Sequence, residues 1–357
     1  MKKFLKALVS IMLIFATGCS SKTVKTSNST KESSAKTFDG NYYNMINNGR
    51  SKNSEKFYLN FSNTKDLVTI GSGLQILSTK HFSTNDYYLS EGLQLTPTDY
   101  NNLLKRDAAG TKEEDKKYEG LQSPVLVSNI TEQDYYKKSG SSYALKGISV
   151  AIILDPKEQI DGKLSSPAVT LSDEKLRSYA QQCVKKTYKY IRSKKKKLAD
   201  VPVMIGIYRA NNNEISETNG NYIYESFCEG GSVGTLKNVN HENVYFTSTR
   251  ATKLDPATAS EFATIKSILK KASTEAAGLV GQANYIDDTI QTMKITAHLN
   301  IKTYTELLYL TSVIADNINS KFTQDFNIKV LVYSQDELMA VIIKQKGEDA
   351  KTSILEQ

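Results

Sequence analysis

Cys19 is the side chain of this sequence whose surroundings most clearly prescribe a reaction. It follows three small residues, Ala16, Thr17 and Gly18, and these end an apolar run of Leu8, Val9, Ile11, Met12, Leu13, Ile14 and Phe15 headed by Lys2, Lys3 and Lys6. A cationic start, a short apolar core and small residues before a cysteine form a secretory leader, cut between Gly18 and Cys19, with acylation of the freed thiol. The apolar core is too short to hold the chain across a bilayer as a helix. A diacylglycerol on the thiol and a second chain such as palmitate on the new N-terminus would supply the two or more buried hydrocarbon chains that stable anchoring requires. The partners expected from this stretch are the membrane, reached through the lipid, and during processing a signal peptidase and a lipid transferase. The expected location is the extracytoplasmic face of the cell membrane.

Other groups that could do chemistry are dispersed. Asp86 and Glu91, with Asp287 and Asp288, are the carboxylates that would serve a cell-envelope hydrolase, in which an acid and a base must converge at roughly 5–10 Å. Asp287-Asp288, just ahead of a strand, reads more readily as a solvated turn or a helix cap than as part of such a site. The chain has 21 tyrosines and no tryptophan, and Tyr87, Tyr88 and Glu91 with Tyr222 and Tyr224 are candidates to line a groove for a peptide or glycan. As alternating strand residues they would instead serve the core. After Cys19 only Cys183 and Cys228 remain, too few for a disulfide framework and placed for buried free thiols. His81, His241 and His298 lack metal-ligand spacing, and no zinc-protease, nucleophile-elbow, phosphate-loop or calcium-loop motif is present. No cofactor or metal is expected. The formal net charge of +8 is scattered apart from Lys194 to Lys197, a run that suits the carbonyl end of a helix, and no nucleic-acid partner is expected.

The elements that must carry these residues begin after a Ser-, Thr- and Lys-rich tether, residues 19–40. Asn41 to Asn53 is a weakly patterned lead-in, and residues 57–61 (Phe-Tyr-Leu-Asn-Phe) are apolar. Leu67, Ile70, Leu74 and Leu77 predict a helix. Thr96, Pro97 and Asp99 start another that runs through Tyr100, Leu103 and Leu104, followed by a charged loop over residues 108–118. Ile148 to Leu154 is a strand. Ser172 caps a helix whose apolar positions are Leu176, Tyr179, Ala180, Cys183, Val184, Thr187, Tyr190 and Ile191, and Val201–Tyr208 and Asn221–Cys228 are strands. The same order recurs in Met293–Ile301, a helix opened by Thr303 and Glu306 and carrying Leu307, Leu308, Leu310, Val313, Ile314 and Ile318, then Ile328–Tyr333 and Leu338–Ile343. Between the two units Asp255-Pro256 opens a helix through Phe262, Ile265, Ile268 and Leu269. The expected fold is α+β, with duplicated strand–helix–strand–strand units in mixed sheets, each covered by a helix. The expected organisation is a leader over 1–18, the tether over 19–40, an α+β domain over 41–250 with the first unit, and another over 251–357 with the second.

With those residues in view, the chain resembles the CamS-type sex-pheromone precursor lipoproteins of low-GC Gram-positive bacteria. The resemblance runs from about residue 70 to 345. It is carried by Asp86-Tyr87-Tyr88-x-x-Glu91-Gly92, Gly147-Ile148-Ser149-Val150-Ala151, Val201-Pro202-Val203-Met204-Ile205-Gly206-Ile207-Tyr208, Gly220-Asn221-Tyr222-Ile223 and the strand–helix–strand tail. It implies that the cleaved leader is trimmed to a short hydrophobic pheromone, sensed by a receptor in recipient cells in conjugation. The matching segment here is Met12-Leu13-Ile14-Phe15-Ala16-Thr17-Gly18. A receptor pocket would gain about 1.5–3 kcal/mol from each large side chain of it that becomes fully buried. For the mature body the expectation is a non-catalytic binding or interaction module, with the paired-carboxylate hydrolase as the alternative.

Overall fold

β-Branched residues dominate Ile148 to Ile153, and this stretch lies at the buried centre of a sheet. Residues 31–33, 43–53, 64–104, 121, 126–160, 165–210, 220–273 and 278–355 are described in the computed structural model of the chain. Cys19, the Met12–Gly18 segment, residues 57–61 and the charged loop over 108–118 lie outside the described residues. From Lys31 on the chain forms one compact unit.

The first sheet is built from β1 (Lys31–Ser33), β2 (Asn44–Asn47), β3 (Tyr88–Glu91), β4 (Val127–Ser139), β5 (Ser142–Leu154), β8 (Val203–Arg209), β9 (Asn221–Cys228) and β10 (Lys237–Asn238), in that spatial order. Helices α1 (Thr64–Thr79), α2 (Pro97–Leu104) and α3 (Asp173–Lys194) are interleaved with it, as is a two-stranded ribbon of β6 (Lys157–Gln159) and β7 (Ala168–Thr170). The second sheet runs β11 (His241–Phe246), β12 (Gly278–Ile286), β13 (Thr289–Leu299), β14 (Asn327–Ser334), β15 (Glu337–Lys344) and β16 (Lys351–Ile354). Its helices are α4 (Thr249–Leu254), α5 (Pro256–Ala272) and α6 (Tyr304–Lys321).

Both sheets repeat one plan. In the first, β5 and β8 pair in parallel across the α3 crossover, and β9 returns antiparallel to β8. In the second, β13 and β14 pair in parallel across α6, and β15 returns antiparallel to β14. The strand–helix–strand–strand order and the mixed sheets read from the sequence are therefore present twice. Each unit also has an upstream strand, β4 or β12, that forms a hairpin with its first member. The sequence reading did not assign these two strands. β4 carries Glu132, Gln133, Asp134, Lys137 and Lys138, which dilute its apolar signal. In β12 one of the helix-facing positions is Gly281, where a Cβ would sit 2.9 Å from the Phe262 ring.

The helix ends follow local chemistry. Thr96 and Asp99 cap α2 reciprocally: Asp99 Oδ2 accepts from Thr96 N at 2.7 Å while Asp99 N donates to Thr96 Oγ1 at 3.3 Å. Asp255 accepts from Thr258 N at 3.1 Å to start α5, with Pro256 at the first helical position. Thr303 Oγ1 accepts from Glu306 N at 3.1 Å, and Glu306 Oε2 accepts from Lys302 N at 2.8 Å, one residue upstream of an ordinary capping box. Ser172 occupies the N-cap of α3 in an extended conformation without a side-chain cap bond. At the other end of α3, Lys194 lies in the last turn and the C-cap residue Lys195 is in an ion pair with Asp99 of α2.

Three apolar clusters fill the body. α3 packs Leu176, Tyr179, Ala180, Cys183, Val184 and Ile191 onto one face of the first sheet. Tyr188 is buried beside them, whereas Tyr190 sits part-exposed with its hydroxyl donating to Asp99 Oδ1 at 3.0 Å. Ile70, Leu74 and Leu77 of α1 cover the opposite face, against Ala151, Ile153, Met204, Tyr208 and Tyr222. The second sheet is covered on one face by α5 and α6 through Phe262, Ile265, Leu269, Leu307, Leu310 and Ile314. Leu308, expected on that apolar stripe, is 40% exposed. Cys183 and Cys228 are buried free thiols, and burial pushes the Cys183 thiol up to about 12.

Candidate functional site

A cleft of about 440 Å³ opens between α1 and the face of the second sheet opposite α5 and α6. Its first wall is held by Tyr222. The tyrosine hydroxyl donates to the Ile70 carbonyl of α1 at 2.8 Å, and its ring lies so close to the helix that a Cβ on Gly73 would come within 2.6 Å of it. A Cβ on Gly206 would meet the same ring at 2.8 Å. Both glycines are needed because the ring fills the space between helix and sheet. Its edge-on neighbours are Tyr208, with ring centroids 5.3 Å apart, and His241 at 6.2 Å.

The second wall is amide-rich. Asn284 Nδ2 donates to Asn243 Oδ1 at 3.1 Å, and Asn243 Nδ2 donates to Asn221 Oδ1 at 3.0 Å, which stitches β12 and β11 to β9 of the other sheet. Gln282, Gln291, Thr292, Lys294 and Lys329 continue the lining. His241 is only 8% exposed, and its Nε2 has no hydrogen-bond partner among the described residues. Burial, helped by the nearby Lys80 cation, lowers its pKa to about 4, so the ring is neutral at physiological pH. No carboxylate among the described residues lines this cleft. Amides, a neutral imidazole and lysines can bind polar or anionic groups by hydrogen bonds.

The residues singled out from the sequence do not meet in one groove. Tyr222 and Tyr224 point to opposite faces of β9, the first beneath α1 and the second against the α3 side with Arg177 over its ring at 5.1 Å. Tyr87 packs on Phe82 at 5.4 Å, and Tyr88 lies edge-on to Tyr143 at 5.1 Å. Glu91 borders a separate hollow with Glu32 and Arg50. Asp86 is exposed just before β3. Asp287 and Asp288, with φ of 48° and 60°, are the exposed two-residue turn between β12 and β13, tied by Asn240 Nδ2 donating to Asp288 Oδ1 at 3.1 Å. Alternation in β9 was interrupted by a bulge opposite Ile207 and Tyr208, so Tyr222 and Tyr224 cannot be placed from spacing alone.

A buried carboxylate pair lies elsewhere and was not anticipated. Glu132 and Asp134 project from β4 on the same face, under the Gly92–Leu95 segment. Leu95 N donates to Glu132 Oε2 at 3.0 Å, while Leu93 N at 3.1 Å and Gln94 Nε2 at 2.8 Å donate to Asp134 Oδ2. Gly92 permits the approach, since a Cβ there would fall 2.5 Å from Glu132 Cβ. Burial and then the Asp134 charge hold Glu132 well above the usual carboxylate range, and burial raises Asp134 to about 6. Glu132 Oε1 and Asp134 Oδ1 have no hydrogen-bond partner among the described residues, so protonation relieves the site. The signal in the sequence was two acids at i and i+2 opposite the apolar strand Ile148 to Leu154.

Comparison with known proteins bears on the whole body. None of the curated proteins matches the chain. The crystal structure of a sex pheromone precursor from Lactobacillus salivarius subsp. salivarius UCC118 is similar, with a TM-score of 0.77 at 21% identity over 92% of this chain and 99% of that one. So is the C-terminal domain of the sex pheromone staph-cAM373 precursor from Staphylococcus aureus, with a TM-score of 0.67 at 21% identity over 84% of this chain and 99% of that one. At such identity these structures establish a shared fold. The family model described as CamS sex pheromone cAM373 precursor matches residues 49–350. The chain belongs to the CamS sex pheromone cAM373 precursor family.

Proposed function

We propose that the chain gives two products: a short hydrophobic pheromone cut from the leader segment Met12–Gly18, and a body anchored by lipid on Cys19 that works as a non-catalytic binding module. The observation that carries the first product is the family match across residues 49–350, behind a leader whose apolar core ends at Ala16-Thr17-Gly18-Cys19. Signal peptidase and a lipid transferase process this junction, the membrane holds the mature chain by its lipid, and a receptor in recipient cells reads the released peptide. No helix among the described residues is long and apolar enough to cross a membrane.

For the body, the reading rests on the cleft beside α1, whose lining of amides, lysines and a neutral histidine is suited to holding a ligand. The hydrolase alternative would need Asp86, Glu91, Asp287 and Asp288 to converge, and they sit on separate turns and edges. Substitution of the acylated thiol tests the anchor. Cys19→Ser is expected to move the protein from the membrane fraction to the soluble or secreted fraction nearly completely, because no acyl chain is left to hold it. Full retention of the variant in the membrane fraction would rule out the lipid anchor.

A further inference from the structure

The shared plan of the two sheets makes one difference between them informative. In the first sheet both faces are covered: α3 lies on one, and α1 lies across β5, β8 and β9 on the other. In the second sheet α5 and α6 cover one face, and among the described residues no helix lies across β13, β14 and β15 on the other. Register shows what that bare face displays. Val280, Thr296, Leu331 and Val341 stand side by side across four strands, a mainly apolar row in which Val280 is 45% exposed. The adjacent row runs Gln282, Lys294, Lys329, Ile343 and Lys351 across five strands. Neither row contains an acidic residue, and Lys351 at the outer edge is ion-paired with Glu348 at 2.8 Å, so Lys294 and Lys329 form the central basic pair. The cleft beside α1 opens onto this face, with Lys294, Lys329 and Leu331 in its lining.

We propose that this face docks an amphipathic helix with an acidic polar side, supplied by a partner protein, laid across β13, β14 and β15 as α1 is laid across β5, β8 and β9. Apolar side chains of the helix cover the Val280–Val341 row, and its carboxylates reach the lysine row. A second copy of this chain is the wrong partner, because face-to-face pairing would stack lysine row on lysine row. The concave boundary made by α1 fits a rod better than a membrane plane. The proposal rests on the body being a binding module.

The test uses mature protein anchored in phosphatidylcholine nanodiscs, with empty discs as background. Two labelled 18-residue probe helices share one leucine stripe, and their polar positions are glutamate in one and lysine in the other. Fluorescence anisotropy is expected to show saturable binding of the glutamate helix and at least tenfold weaker binding of the lysine helix. Lys294→Glu is expected to abolish that preference, with circular dichroism unchanged. Val280→Ser, at an exposed position, weakens both probes. Equal binding of the two helices, indifference to these substitutions, or hydrogen-exchange protection of the face by phosphatidylglycerol discs without peptide would overturn the proposal. Membrane fractionation of Cys19→Ser is read in parallel, so that loss of docking is separated from loss of the anchor.

Discussion

Tyr222→Ala is expected to lower the unfolding free energy of the body by about 3–5 kcal/mol, the range found when a large buried aromatic is truncated and its cavity only partly collapses. The ring is 2% exposed, and two glycines, Gly73 and Gly206, leave room for it alone. Truncation also deprives the Ile70 carbonyl of the hydroxyl that donates to it at 2.8 Å. Tyr222→Phe isolates this last contribution, and about 1 kcal/mol is expected. Urea denaturation followed by circular dichroism measures both. Since Tyr222 fixes α1 to the first sheet, the Ala variant should also loosen the cleft wall, visible as faster amide exchange in Thr64–Thr79. An Ala variant within 1 kcal/mol of the parent would mean that α1 is held by other contacts.

Neutral pH is expected to destabilise the body through its buried acids, and Glu132→Gln should reduce that penalty. Asp134 titrates at about 6 when folded against 3.8 unperturbed, so in the folded state it keeps a proton that the unfolded chain has released. Its folded-state advantage is complete below the unfolded value, declines as pH rises through this interval, and is lost above about 6. The difference corresponds to roughly 3 kcal/mol at about 1.4 kcal/mol for each pH unit. Glu132 is raised in the same direction by burial and by the Asp134 charge. A glutamine at 132 still accepts from Leu95 N and removes one ionisable group whose proton the folded state retains. His81 and His241 act with the opposite sign. Both are lowered to about 4, chiefly by burial, and they favour the folded state above the unfolded value of 6.5 while weakening it as pH falls toward 4. The difference between parent and variant therefore isolates the pair. Unfolding free energies at pH 4.5, 6 and 7.5 should show the variant gaining on the parent by about 1–3 kcal/mol across this range. Parallel profiles would contradict the assignment.

Much of the architecture was legible because strong local patterns coincided with tertiary structure. Ile148 to Leu154 is apolar on both sides because helices cover both faces of its sheet, and such a strand announces itself without alternation. The caps at Asp255-Pro256 and Thr303-Glu306 are likewise local chemistry. What escaped depended on contacts distant in sequence. β4 hides two acids whose donors come largely from the Leu93 to Leu95 segment, its backbone and the Gln94 side chain, some forty residues upstream. The cleft joins α1 to Asn243, Gln282 and Lys294 through a sheet-to-sheet seam that no spacing rule encodes. The tyrosine groove failed because the bulge in β9 sends Tyr222 and Tyr224 to opposite faces. Within β13, the polar alternation Thr292, Lys294, Thr296 and His298 did mark a face without a helix, although it did not say what lies there.

Mass spectrometry of the native host's products tests the two-product account most directly. The membrane fraction should contain a mature chain whose N-terminal residue is Cys19 bearing a thioether-linked diacylglycerol, and the spent medium should contain a short apolar peptide ending at or near Gly18. An unmodified Cys19, or a leader that is never released as such a peptide, would contradict the account and leave the folded body as the sole functional product.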